Sequence, residues 1–204
     1  MSWYYSPSAL KRQAEQQTGQ PVYASNAVAM MAENVSVRDR IISDTEVFDI
    51  FLSYRNTDSE YAFGIYLDLT GRGYRVYLDK VADAQLDRNK ITRETAEVLR
   101  KRLMQSKSLF YIVSEKSDQS NWMPLELGFE DGYRAKSAVV PVAEKNRGGF
   151  AGVEFVTLYP KVVPGSENYL WIDTPDEKGN LTHFPDWRDS VPNRKCGMPK
   201  CPLR

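Results

Sequence analysis

Two residue types that build metal sites and catalytic centres are scarce in this chain of 204 residues. It has one histidine, His183, and two cysteines, Cys196 and Cys201, which stand close together near the end of the sequence. A structural zinc site normally needs four ligands, and a hydrolytic triad usually takes a histidine as its base. The composition therefore disfavours zinc chemistry and histidine-based hydrolysis. It indicates two ordinary cytosolic thiols and no bound metal.

The chain also lacks a long apolar run and an excess of one charge. No stretch approaches the roughly 20 apolar residues of a membrane-spanning helix, and the first residues lack the apolar core of a secretory signal. The 27 basic and 27 acidic residues balance, so no overall field attracts the chain to nucleic acid or to a membrane surface. We expect a cytoplasmic protein that binds neither.

Strands and helices alternate along the middle of the chain. Apolar and β-branched runs predict strands at 47–52, 75–78, 109–113, 138–142 and 155–158. Helical patterns predict helices at 59–70 and 92–104, and a third that begins near residue 121. This alternation is typical of an α/β fold, here a mostly parallel five-stranded sheet with helices on both faces. A Gly-x-Gly-x-x-Gly fingerprint is absent, which argues against a hydride-transferring Rossmann enzyme.

The pattern divides the chain into three parts. Residues 1–45 form a polar N-terminal extension with two weak helical patterns, which either packs onto the main domain or meets a partner. Residues 46–160 form the main domain. Residues 161–204, with tryptophans among prolines and glycines, are predicted to be an irregular tail packed on that domain.

The helix that begins near residue 121 carries the candidate site. Trp122, Leu125, Phe129 and Tyr133 are spaced as one apolar stripe, which predicts that this stripe faces the core. Glu126 lies at the edge of the stripe, beside Trp122. Open α/β sheets bind ligands at the carboxyl ends of their strands, where this helix starts, so Glu126 is a candidate functional carboxylate. The alternative is a solvated residue that complements the helix dipole.

Three segments resemble the motifs of a bacterial Toll/interleukin receptor (TIR) domain. FDIFLSYRNTD (Phe48 to Asp58) resembles the first TIR box, and RVYLDKVAD (Arg75 to Asp83) resembles the second strand and its loop. SDQSNWMPLEL (Ser117 to Leu127) resembles the segment that carries Trp-x-x-x-Glu in TIR domains that cleave NAD. The similarity spans 47–142, with a weaker echo over 154–160. It implies a flavodoxin-like sheet.

The resemblance implies an enzyme that cleaves the nicotinamide–ribose bond of NAD. The product would be ADP-ribose or a cyclic isomer of it, a signal or toxin in bacterial anti-phage defence of the Thoeris kind, which could act on a downstream effector protein. NAD would be the substrate, and no cofactor would be needed. Two alternatives stay open: a non-catalytic adaptor that binds other TIR domains, and an enzyme like the nucleoside deoxyribosyltransferases.

The resemblance also assigns roles to individual residues. Glu126 would stabilise the positive charge that the ribose gathers in the transition state. Trp122 would form an apolar wall beside the sugar, or would be a core residue. Asp79, at the end of the second strand, would reach a ribose hydroxyl or only cap its loop.

The end of the first strand supplies the remaining candidates. Ser53, Tyr54 and Arg55 leave the strand at the edge where Glu126 is expected. Tyr54 could pack on a ring of the substrate, and Arg55 could bind the pyrophosphate through two parallel hydrogen bonds. The alternative for Arg55 is a surface ion pair with Asp58 or Glu60.

The loop after the second strand is a candidate for self-association. It runs from Lys80 to Asn89 and mixes charges with the apolar residues Val81 and Leu86. Because it leaves the sheet at the same edge, a second copy of the chain could complete the site there. The alternative is a flexible loop that covers its own site.

Overall fold

A sheet of seven strands forms the centre of the protein. The computed structural model describes residues 4–34, 42–78, 81, 92–114, 123–144, 158–166, 169–174 and 181–191. The strands are β1 (Ile50–Ser53), β2 (Val76–Tyr77), β3 (Leu109–Ser114), β4 (Ser137–Val142), β5 (Lys161–Pro164), β6 (Leu170–Asp173) and β7 (Leu181–His183). Their order across the sheet is β2-β1-β3-β4-β5-β6-β7. Strands β1 to β5 are parallel. Strand β6 pairs antiparallel with β5, and β7 pairs antiparallel with β6.

Helices connect and cover the strands. They are α1 (Pro7–Thr18), α2 (Ala24–Asn34), α3 (Ser59–Gly71), α4 (Arg93–Met104), α5 (Met123–Tyr133) and α6 (Phe184–Asp189). A short 3-10 turn, Asn56–Asp58, leads into α3. Thr92 caps α4 by accepting a hydrogen bond from the amide of Thr95 at 3.1 Å, which satisfies one of the free donors of the first turn. No helix in the described ranges is long and apolar enough to cross a membrane.

The two faces of the sheet carry separate cores, because side chains alternate along each strand. One face, which we call the α3 face, is covered by α1, α2, α3 and α6. Its buried strand residues include Ile50, Leu52, Phe110, Ile112 and Val140. The other, the α5 face, is covered by α4 and α5. Its buried residues include Phe51, Leu109, Tyr111, Val113 and Val139. The predicted α/β fold, with a mostly parallel sheet and helices on both faces, is confirmed.

The N-terminal extension packs onto the main domain, the first of the two alternatives for it. Leu10 and Ala14 of α1 and Met31 of α2 are buried in the core of the α3 face. Helix α1 crosses α3 at Gly64, where a Cβ atom would lie 2.6 Å from the carbonyl oxygen of Leu10. The close approach of the two helices therefore requires glycine at this position.

Tyr5 also connects the extension to the sheet. Its amide donates to the carbonyl of Pro141, and its carbonyl accepts from the amide of Ala143, so it pairs with the end of β4 as a parallel bridge. The Tyr5 hydroxyl is buried and donates to Asp68 of α3 at 2.7 Å. Strand β5 pairs with β4 at Val139. The extension pairs with β4 further along the strand and so covers backbone that β5 does not reach.

The C-terminal part of the sheet corrects two expectations. A strand that was not predicted, Lys161–Pro164, pairs with β4; of the strand predicted at 155–158, only Leu158 is described, where it lies outside any strand and is 74% exposed, and 155–157 lie outside the described residues. The tail was expected to be irregular, but its described part forms β5, β6, β7 and α6. The strands of the tail are short and separated by turn residues, so they give no clear periodic signal in the sequence. They form a regular sheet because β5 pairs with β4, and β6 and β7 follow in turn. Within the described residues the sheet therefore has seven strands, against the five predicted.

Candidate functional site

The site lies at the edge of the sheet where β1 and β3 end. Ser53 is the last residue of β1, and its hydroxyl donates a hydrogen bond to Glu126 Oε2 at 2.5 Å. Glu126 stands in the first turn of α5 and is 2% exposed, and Ser53 is also buried. Because α5 packs on the same face of the sheet to which Ser53 points, the two residues meet although 73 positions separate them.

The orientation of α5 differs from the prediction. The expected core stripe was Trp122, Leu125, Phe129 and Tyr133. Leu125 and Tyr133 are instead 39% and 51% exposed. Phe129 is partly buried, and Trp122 lies outside the described residues.

The buried side of α5 carries two carboxylates. It consists of Glu126, Leu127 and Glu130, which are 2%, 3% and 1% exposed. A helix that turns acids inward and leaves large apolar side chains in water opposes the hydrophobic pattern, and such exceptions concentrate at functional sites. The burial of Glu126 also excludes the alternative of a solvated residue that only complements the dipole.

Two interactions stabilise a charge on Glu126 in this buried place. Ser53 supplies a short hydrogen bond, and the N-terminal end of α5 presents its positive dipole to a residue in the first turn. A buried carboxylate without such partners would be costly. The arrangement holds Glu126 in one position at the edge of the sheet, which suits a group that must face a developing positive charge.

Arg55 joins the same cluster from the loop after β1. Its positive charge acts on the phenol of Tyr111, which is 2% exposed on β3. Burial raises the pKa of the Tyr111 phenol above its ordinary value; Arg55 opposes this rise, and the carboxylates of Glu126 and Asp58 add to it. Arg55, Asp58 and Glu126 therefore all lie within electrostatic reach of one phenol.

Asp58 is a buried member of the cluster that sequence reasoning missed. It was considered only as a surface ion-pair partner of Arg55, yet it is fully buried and accepts a hydrogen bond from Ser114 at 2.6 Å. The other suggested partner, Glu60, is also buried, and it lies 4.0 Å from Lys11 of α1. Ser114 and Tyr111 were missed as well, although both stand in an apolar strand that ends at the predicted edge. A polar side chain in such a strand is the signal that could have found them.

Of the remaining predicted site residues, the structure describes only Tyr54. Tyr54 is 4% exposed and packs in the core of the α3 face. Asp79 and Trp122 lie outside the described residues, as does most of the loop from Lys80 to Asn89. Within the described ranges, no three histidine, cysteine, aspartate or glutamate side chains gather as a metal site.

Glu130 lies one turn after Glu126 on the buried side of α5. Burial raises the pKa of Glu130 to about 7, and its ion pair with Arg134, at 3.4 Å, only partly opposes that rise. Arg134 also donates to the carbonyls of Leu103 and Met104 at the end of α4. Glu130 and Arg134 therefore connect α5 with α4, away from Ser53.

Comparison with known proteins gives one extended match. The chain is 38% identical over 148 residues to "Probable 3' cyclic ADP-D-ribose synthase ThsB'" of Bacillus cereus (strain MSX-D12), covering 70% of this chain and 76% of that protein. The chain belongs to the bacterial, Thoeris-like family of TIR-domain proteins. This confirms the resemblance carried by the three motifs.

A second relative shares a shorter segment with this TIR-domain protein. It is "Putative cyclic ADP-D-ribose synthase TIR2" of Cytobacillus dafuensis, 28% identical over 89 residues, which cover 43% of this chain and 24% of that protein. No family model matches the chain.

Proposed function

We propose that this TIR-domain protein cleaves the nicotinamide–ribose bond of NAD and releases a cyclic ADP-ribose isomer or ADP-ribose, as part of bacterial anti-phage defence. The observation that carries the proposal is the buried Glu126 carboxylate, held by Ser53 at 2.5 Å at the carboxyl edge of a parallel sheet. This is where open α/β folds bind their ligands. The names of the two relatives, both cyclic ADP-D-ribose synthases, support the same chemistry.

The chemistry of the bond explains why a carboxylate would suffice. When the carbon–nitrogen bond breaks, the electron pair leaves with nicotinamide, which departs as a neutral molecule and needs no acid. The ribose carbon gathers positive charge, which the Glu126 carboxylate would stabilise. A nucleophile then takes the place of nicotinamide and loses its proton. Water gives ADP-ribose, whereas a group of the same dinucleotide gives a cyclic product, and the relatives' names favour the second.

Arg55 is the group best suited to bind the pyrophosphate. It is half-buried on the loop after β1, and its planar guanidinium can bind a phosphate through two parallel hydrogen bonds. The charges of Arg55 and Glu126 both act on the phenol of Tyr111, which supports a position of Arg55 near the carboxylate. Asp79 on the ribose hydroxyls and Trp122 beside the sugar remain parts of the proposal that rest on the TIR motifs.

The buried carboxylate argues against one of the two alternative functions, and the substrate separates the other. An adaptor that binds other TIR domains through its surface has no need of an acid that is 2% exposed beneath a helix start. A deoxyribosyltransferase-like enzyme would use such an acid, but on nucleosides. Incubation of the purified protein with NAD and, separately, with deoxynucleosides distinguishes all three functions. We expect release of nicotinamide from NAD and no exchange of nucleoside bases; base exchange, or no reaction with either, would contradict the proposal.

We further propose that activity depends on self-association through the loop from Lys80 to Asn89. The TIR resemblance supports this, and so does the loop's mixture of charged and apolar residues. Val81 is 8% exposed and belongs to the core, which leaves Leu86 as the apolar residue for a contact between copies. The nucleotide product would then act on an effector protein, as expected for a Thoeris-like system.

The test of self-association is the dependence of specific activity on protein concentration. We expect specific activity to rise with concentration and Leu86→Asp to depress it, because an unpaired charge would enter the contact. Leu158→Asp is the matched control, since Leu158 is 74% exposed. Constant specific activity over a hundredfold dilution, with a monomer throughout by light scattering, would instead indicate a loop that covers its own site.

A further inference from the structure

Two serine–carboxylate pairs stand at the carboxyl edge of the sheet, where the neighbouring strands β1 and β3 end. Ser53, the last residue of β1, donates to Glu126 in the first turn of α5 at 2.5 Å. Ser114, the last residue of β3, donates to Asp58 at the start of α3 at 2.6 Å. Each strand therefore ends in a serine that bonds the carboxylate of the connection following the other strand.

The two pairs lie on opposite faces of the sheet, because paired residues of neighbouring strands point to the same face. Ser53 pairs with Tyr111, which is buried on the α5 face. Ser114 pairs with Val142, which is buried in the core of the α3 face. The bond from Ser53 thus fixes the start of α5 to β1, and the bond from Ser114 fixes the turn before α3 to β3.

Asp58 ends the short turn that also contains the backbone of Arg55. The Asp58 amide donates to the Arg55 carbonyl at 3.0 Å, and the Asp58 side chain is fully buried. A buried carboxylate is costly unless it is hydrogen-bonded, and a hydroxyl that donates to a charged oxygen makes one of the stronger bonds. The carboxylate of Asp58 is therefore bonded to a central strand, while its backbone is bonded to the residue proposed to bind phosphate.

We propose that Ser114 and Asp58 are positioning residues: their hydrogen bond fixes the turn that carries Arg55 against the end of β3 and so sets where Arg55 meets the pyrophosphate of NAD. The inference rests on the proposed cleavage of NAD. It gives the two pairs separate roles, since Ser53 positions the carboxylate that acts on the ribose and Ser114 positions the turn of the arginine that binds phosphate. The effect of Ser114 passes through Arg55 and requires no contact with the substrate.

The variant that tests this is Ser114→Ala, which removes the hydroxyl and little else. The loss of a bond that positions a binding group should raise KM for NAD about fivefold to tenfold, with kcat changed by less than about threefold, because the bond between Ser53 and Glu126 stays intact. The dissociation constant for NAD, measured by calorimetry, should rise by the same factor. A merely structural role would lower the melting temperature without this separation of KM from kcat.

Ser108→Ala is the matched control. Ser108 immediately precedes β3, is fully buried and donates to the carbonyl of Asp49 at 2.8 Å, so it joins the same two strands at the opposite edge of the sheet. Removal of its hydroxyl should lower the melting temperature and leave KM within about twofold of the wild-type value. An equal rise of KM in both variants would overturn the proposal, because it would show a general effect of stability.

Asp58→Asn approaches the same bond from its other end and leaves no unpaired buried charge, so it serves even if Ser114→Ala does not fold. The amide keeps the shape of the side chain and weakens the bond, because its oxygen is a neutral acceptor. KM should rise about twofold to fivefold, with kcat changed by less than about threefold. A wild-type KM in a folded Asp58→Asn protein would overturn the proposal.

A double-mutant cycle with Arg55→Ala separates this inference from the proposed function. Once Arg55 is removed, Ser114→Ala should change KM by less than about twofold, since the group it positions is absent. The same fivefold to tenfold rise in both backgrounds would overturn the role of Ser114. A higher KM in Arg55→Ala with none in Ser114→Ala would also overturn it while leaving the function intact. Absence of NAD turnover by the wild-type protein would reject the function itself.

Discussion

Helices α4 and α5 lie next to each other on the same face of the sheet, but they bury different kinds of side chain. Helix α4 buries Thr95, Leu99 and Leu103, as the spacing of its leucines predicts, and its charged residues are exposed or half-buried. Helix α5 buries two glutamates with Leu127 and exposes Leu125 and Tyr133. Arg134 of α5 satisfies the last carbonyls of α4, so the two helices are nevertheless bonded to each other.

The difference separates a helix that stabilises the fold from a helix that presents the proposed catalytic carboxylate. In α4, the residues that bury apolar surface are also those that the pattern selects. In α5, the position facing the end of β1 holds a carboxylate, and a hydrogen bond from Ser53 offsets part of the cost of burying it. Stability and function therefore depend on different helices, which substitutions can test.

The largest expected effect is the loss of catalysis in Glu126→Gln. The amide keeps the shape of the side chain and removes its charge, so NAD turnover should fall about 10²–10³-fold. The matched control is Glu130→Gln, a second buried carboxylate one turn further along α5, which should stay within about threefold of wild type. Turnover close to wild type in a folded Glu126→Gln protein, or an equal loss in both variants, would contradict the assignment.

Truncation of one leucine on each helix should lower the free energy of unfolding by different amounts. Leu99→Ala in α4 removes a side chain that is 1% exposed and should lower the free energy of unfolding by about 2–4 kcal/mol. Leu125→Ala in α5 removes one that is 39% exposed and should cost less than about 1 kcal/mol. Denaturant unfolding measures both values. Equal losses would show that the stripe including Leu125 faces the core after all.

The smallest effect is a pH dependence that arises from Glu130. Its pKa is about 7 in the folded protein and 4.5 as a free side chain, so the folded state keeps a proton that the unfolded state loses. The free energy of unfolding should therefore fall by about 1–3 kcal/mol as the pH rises from about 4.5 to 7, and then level off. Glu130→Gln should lack this fall.

Unfolding curves of wild type and Glu130→Gln at several values between pH 4.5 and pH 8 measure the effect. The difference between the two proteins isolates Glu130, since all other groups titrate alike in both. The ion pair with Arg134 forms only where Glu130 is ionised and is already included in the pKa of about 7, so its loss in the variant adds no separate pH dependence. Parallel curves would mean that Glu130 ionises at its ordinary pKa in the folded protein.

The helices and strands that the sequence predicted best were those with strong periodic patterns. Helices α3 and α4 lie within a residue of their predicted bounds, and β3 and β4 follow the apolar runs that predicted them. The prediction was wrong for the form of the described tail and missed the strand at Lys161–Pro164, because such short strands acquire their order only by pairing with a neighbour. Whether the extension belongs to the core was left open. Its apolar stripes are too weak to predict burial alone, and they are buried because α1 packs closely against Gly64 of α3.

The sequence by itself determined the alternation of strands and helices, and it predicted the edge of the sheet at which the site would lie and Glu126 as its carboxylate. Local periodicity and the chemistry of side chains at strand ends are properties of the chain alone. Only the tertiary structure decided which side of α5 faces the sheet, and with it the bond between Ser53 and Glu126 and the burial of Asp58. The rotation of a helix about its axis depends on what lies beneath it, and beneath α5 the strands offer both a hydroxyl and an apolar surface.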